Sequence, residues 1–286
     1  MPGPSAESNL LVYNSPGVAA HYAALDYLTP CERLLFETHI RPGSVILDLG
    51  VGGGRTTRYL AGLASHYVGV DYAEGMVHAC RRKFPNLEFL VKDASDLSTF
   101  ATASFDAVVF AFNGIDYVIG DDRRENCLRH IHRILKPQGV VIFSSHNPRA
   151  VVAPPMWDRE RLRRIARRFG GELAVLAGLL FGGLVCARVA LAWGQVAVAS
   201  LSRLCRRIPS PAFWKGEGYL RDSAHGGLLT HYSIPERTIA EMNRARFRVV
   251  RVMGDDYPRN SSPCWTGWYY YVFAKSDHQV SLESCA

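Results

Sequence analysis

The chain has 286 residues, 48% hydrophobic and 21% charged, which is enough apolar content for one large core and excludes disordered, collagen-like and low-complexity classes. The net charge of +7 is concentrated: between Val151 and Lys215 eleven basic residues face three acids, so this segment holds the whole excess. Seven scattered cysteines without a CxxC pair read as reduced thiols, and MPGPSAESN has neither the basic start nor the apolar run of a signal peptide, so a cytoplasmic location is expected.

Residues 1 to 18 are rich in Pro, Gly and Ser and predict a loop. From Ala19 to Ile40 apolar residues recur at helical spacing, interrupted by Pro30, which predicts two short helices. Ser44 to Leu49 is a β-branched apolar run ending in Gly50, Gly52, Gly53 and Gly54, and a helical stretch follows. Further strands are predicted at His66 to Val70, ending in Asp71, at Leu87 to Val91, ending in Lys92-Asp93, and at Phe105 to Ala111, before Asn113. A helix ending at Leu135 and a turn at Lys136 to Gly139 lead to a fifth strand, Val140 to Ser144. After a long intervening segment, a helix from Pro235 to about Ala245 precedes strands at Phe247 to Met253 and Trp268 to Ala274. Continuous apolar strands alternating with helices predict an α/β fold, a doubly wound and mostly parallel sheet covered on both faces. Such sheets bind ligands beyond the carboxyl ends of their strands, where Asp48, the glycines, Asp71, Asp93 and Asn113 all fall.

The glycine loop is not a P-loop, because no GK[ST] follows, and its spacing departs from the GxGxxG of dinucleotide folds. Asp48, two residues before Gly50, repels a pyrophosphate but suits a ligand ammonium group. Asp71 at the next strand end suits a ribose diol. A ligand with an amino acid at one end and a ribose in the middle meets both requirements, and S-adenosylmethionine is such a ligand. On the run Val45 to Gly54, on Gly69-Val70-Asp71, Lys92-Asp93-Ala94, Asp106 to Val109 with Asn113, and Leu135 to Val140, the sequence resembles the class I S-adenosylmethionine-dependent methyltransferases. The resemblance covers residues 40 to 150 and 228 to 275 and implies a seven-stranded sheet whose last strand is antiparallel. It implies that Gly50, Gly52 and Gly54 form the cofactor loop with Asp48, and that Asp71 holds the ribose. Tyr72 and Met76 then flank the adenine, with Asp93 and Ala94 near its exocyclic amine. Tyr22 closes over the cofactor carboxylate in the same picture, and S-adenosylhomocysteine is the product. The implied plan is an N-terminal helical cap (1–40), a cofactor-binding core (41–150), a basic and apolar helical insertion between the fifth strand and the following helix (151–228), and a C-terminal completion of the core (229–286).

The insertion carries arginines at 159, 161, 163, 164, 167 and 168, uncharged stretches from Leu173 to Ala187 and from Val189 to Ser202, and a second basic group at Arg203, Arg206 and Arg207. Three readings stay open: a helical lid packed on the core or on a second copy of the chain as a homodimer, a membrane-surface contact through residues 159–207, and a spanning helix. The last is penalised by Arg188 at mid-span, at about 2.5–3.5 kcal/mol. Nucleic acid is not an expected partner, because no recognition module accompanies the arginines, although an RNA methyltransferase remains an alternative.

Methyl transfer needs alignment and, for some acceptors, a base. His146 lies just after the fifth strand, and His231 with Tyr232 lies just after the insertion, so these three are the candidate catalytic residues. His130 and His132 lack a third ligand, so no metal is expected. The sequence thus predicts a methyltransferase acting on a small or lipid-linked acceptor. A non-catalytic S-adenosylmethionine-binding protein is the other alternative.

Overall fold

A computed structural model describes residues 6–148, 183, 216–222, 228–258 and 266–276. The arginine cluster, the apolar stretches and the second basic group of the insertion lie outside these residues.

The core is a seven-stranded sheet in the order β3-β2-β1-β4-β5-β9-β8. Its strands are β1 (Ser44–Leu49), β2 (Ala64–Asp71), β3 (Glu88–Val91), β4 (Phe105–Phe110), β5 (Leu135–His146), β8 (Phe247–Gly254) and β9 (Trp268–Lys275). The first five pair in parallel, and β9 runs antiparallel between β5 and β8. Alternation along the strands splits the core into two layers. Leu47 and Leu49 of β1 face α6 (Asp121–Ile134) and α7 (Pro235–Arg244), whose Cys127, Ile131 and Met242 pack with them. Ile46, on the other face, meets α3 (Pro30–His39), α4 (Thr57–Leu63) and α5 (Glu74–Lys83) through Leu35, Phe36, Leu60 and Val77. Strand order reverses at β1, with β2 on one side and β4 on the other, and this leaves a crevice at the carboxyl ends of these strands.

Local chemistry accounts for the element ends. Pro30 opens α3 at its first turn, where its missing N–H costs nothing, and Thr29 and Glu32 form a reciprocal capping box. The turn at Lys136 to Gly139 lies within β5 as a kink: the register passes from Phe105↔Leu135 to Ala107↔Val140, with Gln138 at φ +62°. Lys136 Nζ ties this kink to Asp106 at 2.8 Å.

Two expectations are corrected. Residues 6 to 18 are not a loop: α1 (Ala6–Tyr13) and α2 (Pro16–Ala23) cover the crevice. α1 forms because tertiary bonds hold it. The Asn9 amide donates to Leu229 O at 2.8 Å and accepts from Leu229 N at 3.0 Å, completing a strand edge as another backbone would. The segment assigned to a helical insertion ends in a strand instead. β6 (Glu217–Asp222) pairs antiparallel with β7 (Leu228–Ser233) in a separate hairpin, where Tyr219 lies opposite His231 with ring centroids 5.2 Å apart.

Candidate functional site

The crevice holds a cleft of about 360 Å³ between the glycine loop and the ends of β2, β3, β4 and β5, roofed by Tyr13 and Tyr22 of the N-terminal helices. Its floor begins where β1 ends. Gly50 and Gly52 adopt φ +61° and +54°, conformations that only glycine takes without strain, and a Cβ on Gly50 would lie 2.6 Å from the Phe110 ring. Gly53 is pressed against α2, where a Cβ would sit 2.2 Å from both Tyr22 C and Ala23 N. The glycine loop therefore serves both as cradle and as seat for the N-terminal cap.

Asp71 closes β2. Its Oδ2 accepts from Gly52 N and its Oδ1 from Ala73 N, each at 2.9 Å. Burial pushes its carboxyl up to about 6, against these backbone donors. Asp71 is one of the residues that line the cleft. Asp93 follows β3. Its Oδ1 accepts from Ser95 N and Oγ, and its Oδ2 is paired with Arg123. Burial opposes ionisation here, but the Ser95 bonds and the Arg123 charge outweigh it and hold the carboxyl below the usual range. Tyr72, Met76 and Ala94 line the stretch between these two acids. Tyr13 meets the rings of Tyr22, Tyr72 and Tyr117 edge-on at 6.1, 6.0 and 5.7 Å, which makes the roof and one wall aromatic.

The far end of the cleft is polar. Asn113, at φ +62°, stands where β4 turns into a short 3₁₀ segment, Gly114–Tyr117, and its N–H donates to Ser144 Oγ at 2.7 Å. Its Nδ2 lies 3.2 Å from His146 Nε2. His146, the last residue of β5, bonds Asp116 Oδ2 through Nδ1 at 2.8 Å, and its ring faces that of Tyr232 at 5.0 Å.

The structure thus brings Tyr22, Gly50, Gly52, Asp71, Tyr72, Met76, Asp93, Ala94, Asn113, His146 and Tyr232 to one cleft. Three further residues lie off it. The Asp48 carboxylate is turned inward, 1% exposed, and accepts from Thr56 Oγ1 at 3.0 Å and Tyr67 OH at 2.9 Å. It fixes the start of α4, and burial, only partly offset by those hydroxyls, pushes it up to about 7. Gly54, at φ +80°, backs onto α5, where a Cβ would meet Phe84 at 2.8 Å. His231 lies behind Asp116, its Nδ1 3.8 Å from Oδ1 and beyond hydrogen-bond reach.

Two residues of the site escape the sequence reading. Arg55, just after the glycines, lines the cleft between the rings of Tyr27 and Phe112, 5.0 and 4.9 Å away, and its Nη1 donates to Glu32 at 2.7 Å. Asp116 lies in the stretch read as continuous helix. The helical run is interrupted before α6 at Gly120, φ +102°, and the left-handed Asn113 breaks β4 from the short 3₁₀ turn that brings Asp116 to β5. An Asn-Gly pair after a strand signals such a break.

S-adenosylmethionine has an amino acid at one end, a ribose in the middle and a purine at the other. A glycine cradle that excludes side chains, a buried carboxylate set for a diol, and an aromatic and thioether wall for a purine all match its parts, and no phosphate-binding element is required.

Residues 46–139 match the family model described as a methyltransferase domain. Over 104 residues the chain is 38% identical to a demethylmenaquinone methyltransferase of Clavibacter sepedonicus, covering 35% of this chain and 40% of that protein. It is 29% identical over 118 residues to one of Paenarthrobacter aurescens, covering 41% and 44%. The matches thus span less than half the length of these relatives. Among solved structures, a 1,6-didemethyltoxoflavin-N1-methyltransferase of Burkholderia thailandensis, with bound S-adenosylhomocysteine, superposes with a TM-score of 0.56 at 15% identity, covering 97% of this chain and 93% of that one. An S-adenosylmethionine-dependent methyltransferase of Methanosarcina mazei gives 0.54 at 16% identity, over 88% and 99%. The fold is Rossmann-like, with the cleft at its switch point. Residues 46–139 are therefore similar to methyltransferase domains, within a sheet that such folds share.

Proposed function

We propose that the protein transfers the methyl group of S-adenosylmethionine to a small or lipid-linked acceptor. The observation that carries this reading is the continuity of the cleft. One cavity runs from the glycine loop and Asp71 to His146 and Tyr232, so a nucleoside at one end leaves room for an acceptor at the other. In this reading Gly50 and Gly52 admit the methionine part, Tyr22 covers it, and Asp71 accepts from the ribose hydroxyls. Tyr72 and Met76 sandwich the adenine beside Asp93 and Ala94, and Asn113 and His146 face the acceptor. The bound cofactor supplies an electrophilic methyl group; the chain's own residues orient the partners and exclude water.

The aromatic wall of Tyr13, Tyr117, Tyr232 and Trp268 favours an apolar or aromatic acceptor, and the relatives named for demethylmenaquinone support the same class. No helix among the described residues is long and apolar enough to cross a membrane. We assign contact with an anionic membrane surface to the arginine-flanked segment 159–207, on its composition alone.

The test incubates the purified protein with methyl-labelled S-adenosylmethionine and an extract of its native cells, then separates organic, aqueous and macromolecular fractions. Label in the organic fraction is expected. Label confined to nuclease-sensitive precipitate would overturn the acceptor class.

A further inference from the structure

We infer that Asp116 positions His146 as a base that removes the proton of an acceptor hydroxyl, so that the methyl group is delivered to oxygen; the inference rests on the methyltransferase reading above. Asp116 is fully buried, and both its oxygens are engaged from β5. Oδ1 accepts from Ser145 Oγ at 2.7 Å, and Oδ2 accepts from His146 N at 2.7 Å and from His146 Nδ1 at 2.8 Å. His231 approaches from β7. Burial alone would raise this carboxyl, yet His146 and His231 hold it down at about 2, so it is an anion.

The choice of partner is informative. Arg124 lies close by on α6, but its guanidinium bonds Glu241 and the Ile115 carbonyl instead. The buried anion is left to an imidazole whose other edge opens on the cleft. An Nδ1–H donated to Asp116 leaves the lone pair on Nε2, and Asn113 Nδ2, a donor 3.2 Å away, fits that form. A held carboxylate, an oriented imidazole and an Nε2 lone pair that an acceptor hydroxyl takes over from Asn113 are the parts of a general base.

A thiolate or a neutral aromatic amine attacks through its own lone pair. A phenolic hydroxyl has a pKa of about 10 and stays protonated near neutral pH, so it gains most from such a base. The step balances: the O–H bond breaks and its proton goes to His146 Nε2. The oxygen pair forms the bond to the methyl carbon as the carbon–sulfur bond breaks, and that bond's pair stays on sulfur. Asp116 remains ionised and stabilises the imidazolium, which then returns its proton to water.

The test compares Asp116→Asn and His146→Gln with the wild type by label transfer to the cell-extract acceptor, by S-adenosylhomocysteine titration and by thermal melting. Expected is a fall in kcat of about 100-fold or more in both variants, with S-adenosylhomocysteine affinity and KM for S-adenosylmethionine within about twofold. His146→Gln alters a residue of the cleft wall, so it tests the base even if Asp116→Asn does not fold. Tandem mass spectrometry of the wild-type product is expected to place the methyl group on oxygen. Wild-type kcat in a folded His146→Gln protein, or a methyl group on nitrogen, sulfur or carbon, overturns the inference and leaves the methyltransferase reading intact. A wild-type protein that neither binds S-adenosylhomocysteine nor transfers label overturns both.

Discussion

At the residue scale, the site depends on carboxylates with different duties. Asp48 bears on stability. Its carboxyl is pushed from 3.8 to about 7 by burial. Below about pH 4 the folded and unfolded chains both hold this proton. Between about pH 4 and 7 only the unfolded chain has released it, so the contribution of Asp48 to stability falls as pH rises and is fully lost above about 7. Asp48→Asn removes this dependence while keeping an acceptor for Thr56 and Tyr67. The melting temperature of Asp48→Asn relative to wild type is therefore expected to rise between pH 4.5 and 8, by on the order of 5 °C. A difference that stays constant across that range would show that Asp48 does not titrate in the fold. Gly53 makes a steric demand instead. Gly53→Ala drives a Cβ into the backbone of α2, and because backbone atoms cannot rotate aside, the cap must lift. We expect at least a tenfold loss of S-adenosylhomocysteine affinity by calorimetry; unchanged affinity would mean that the cap is not part of the cofactor site.

At the scale of elements, the N-terminal helices and the β6–β7 hairpin act as one cover. Asn9 joins α1 to β7 through two hydrogen bonds, and β7 carries Tyr232 to the cleft beside His146. Asn9→Ala leaves both Leu229 backbone groups without their partner, at about 1–3 kcal/mol. Hydrogen exchange is expected to quicken in α1 and β7 together, with β1 and β4 unchanged; quickening in α1 alone would separate the two covers. The same elements show what was legible in the sequence. The parallel strands, the glycine loop and the strand-end acids could be read directly, because buried parallel strands are continuous apolar runs and their ends carry the ligand groups. Eleven of the anticipated residues meet in one cleft. α1 could not be read, since its stability comes from Leu229, more than 200 residues away. The inward turn of Asp48 was equally hidden, because its partners Thr56 and Tyr67 belong to other elements. Asp116 was concealed because the helical pattern runs on past Gly120, where the chain breaks between the 3₁₀ turn and α6.

At the scale of the whole molecule, charge and site are separated along the chain. The basic excess sits between Val151 and Lys215, whereas the cleft is built from residues 13 to 146 with Tyr232 and Trp268. A membrane role for segment 159–207 predicts binding to phosphatidylglycerol vesicles that weakens steeply between 50 and about 500 mM salt, as screening shortens the reach of each arginine. Deleting residues 170–202 and finding vesicle binding unchanged would locate that role elsewhere.

We propose this cleft as an S-adenosylmethionine site with Asp71 as its ribose acceptor. Calorimetric titration of S-adenosylhomocysteine into wild type and Asp71→Ala tests it most directly. A single site is expected in the wild-type protein, with an affinity at least tenfold weaker in the variant, because Asp71 holds Gly52 in place and, as proposed, accepts from the ribose. No heat of binding in the wild type, or equal affinity in the two proteins, would contradict it.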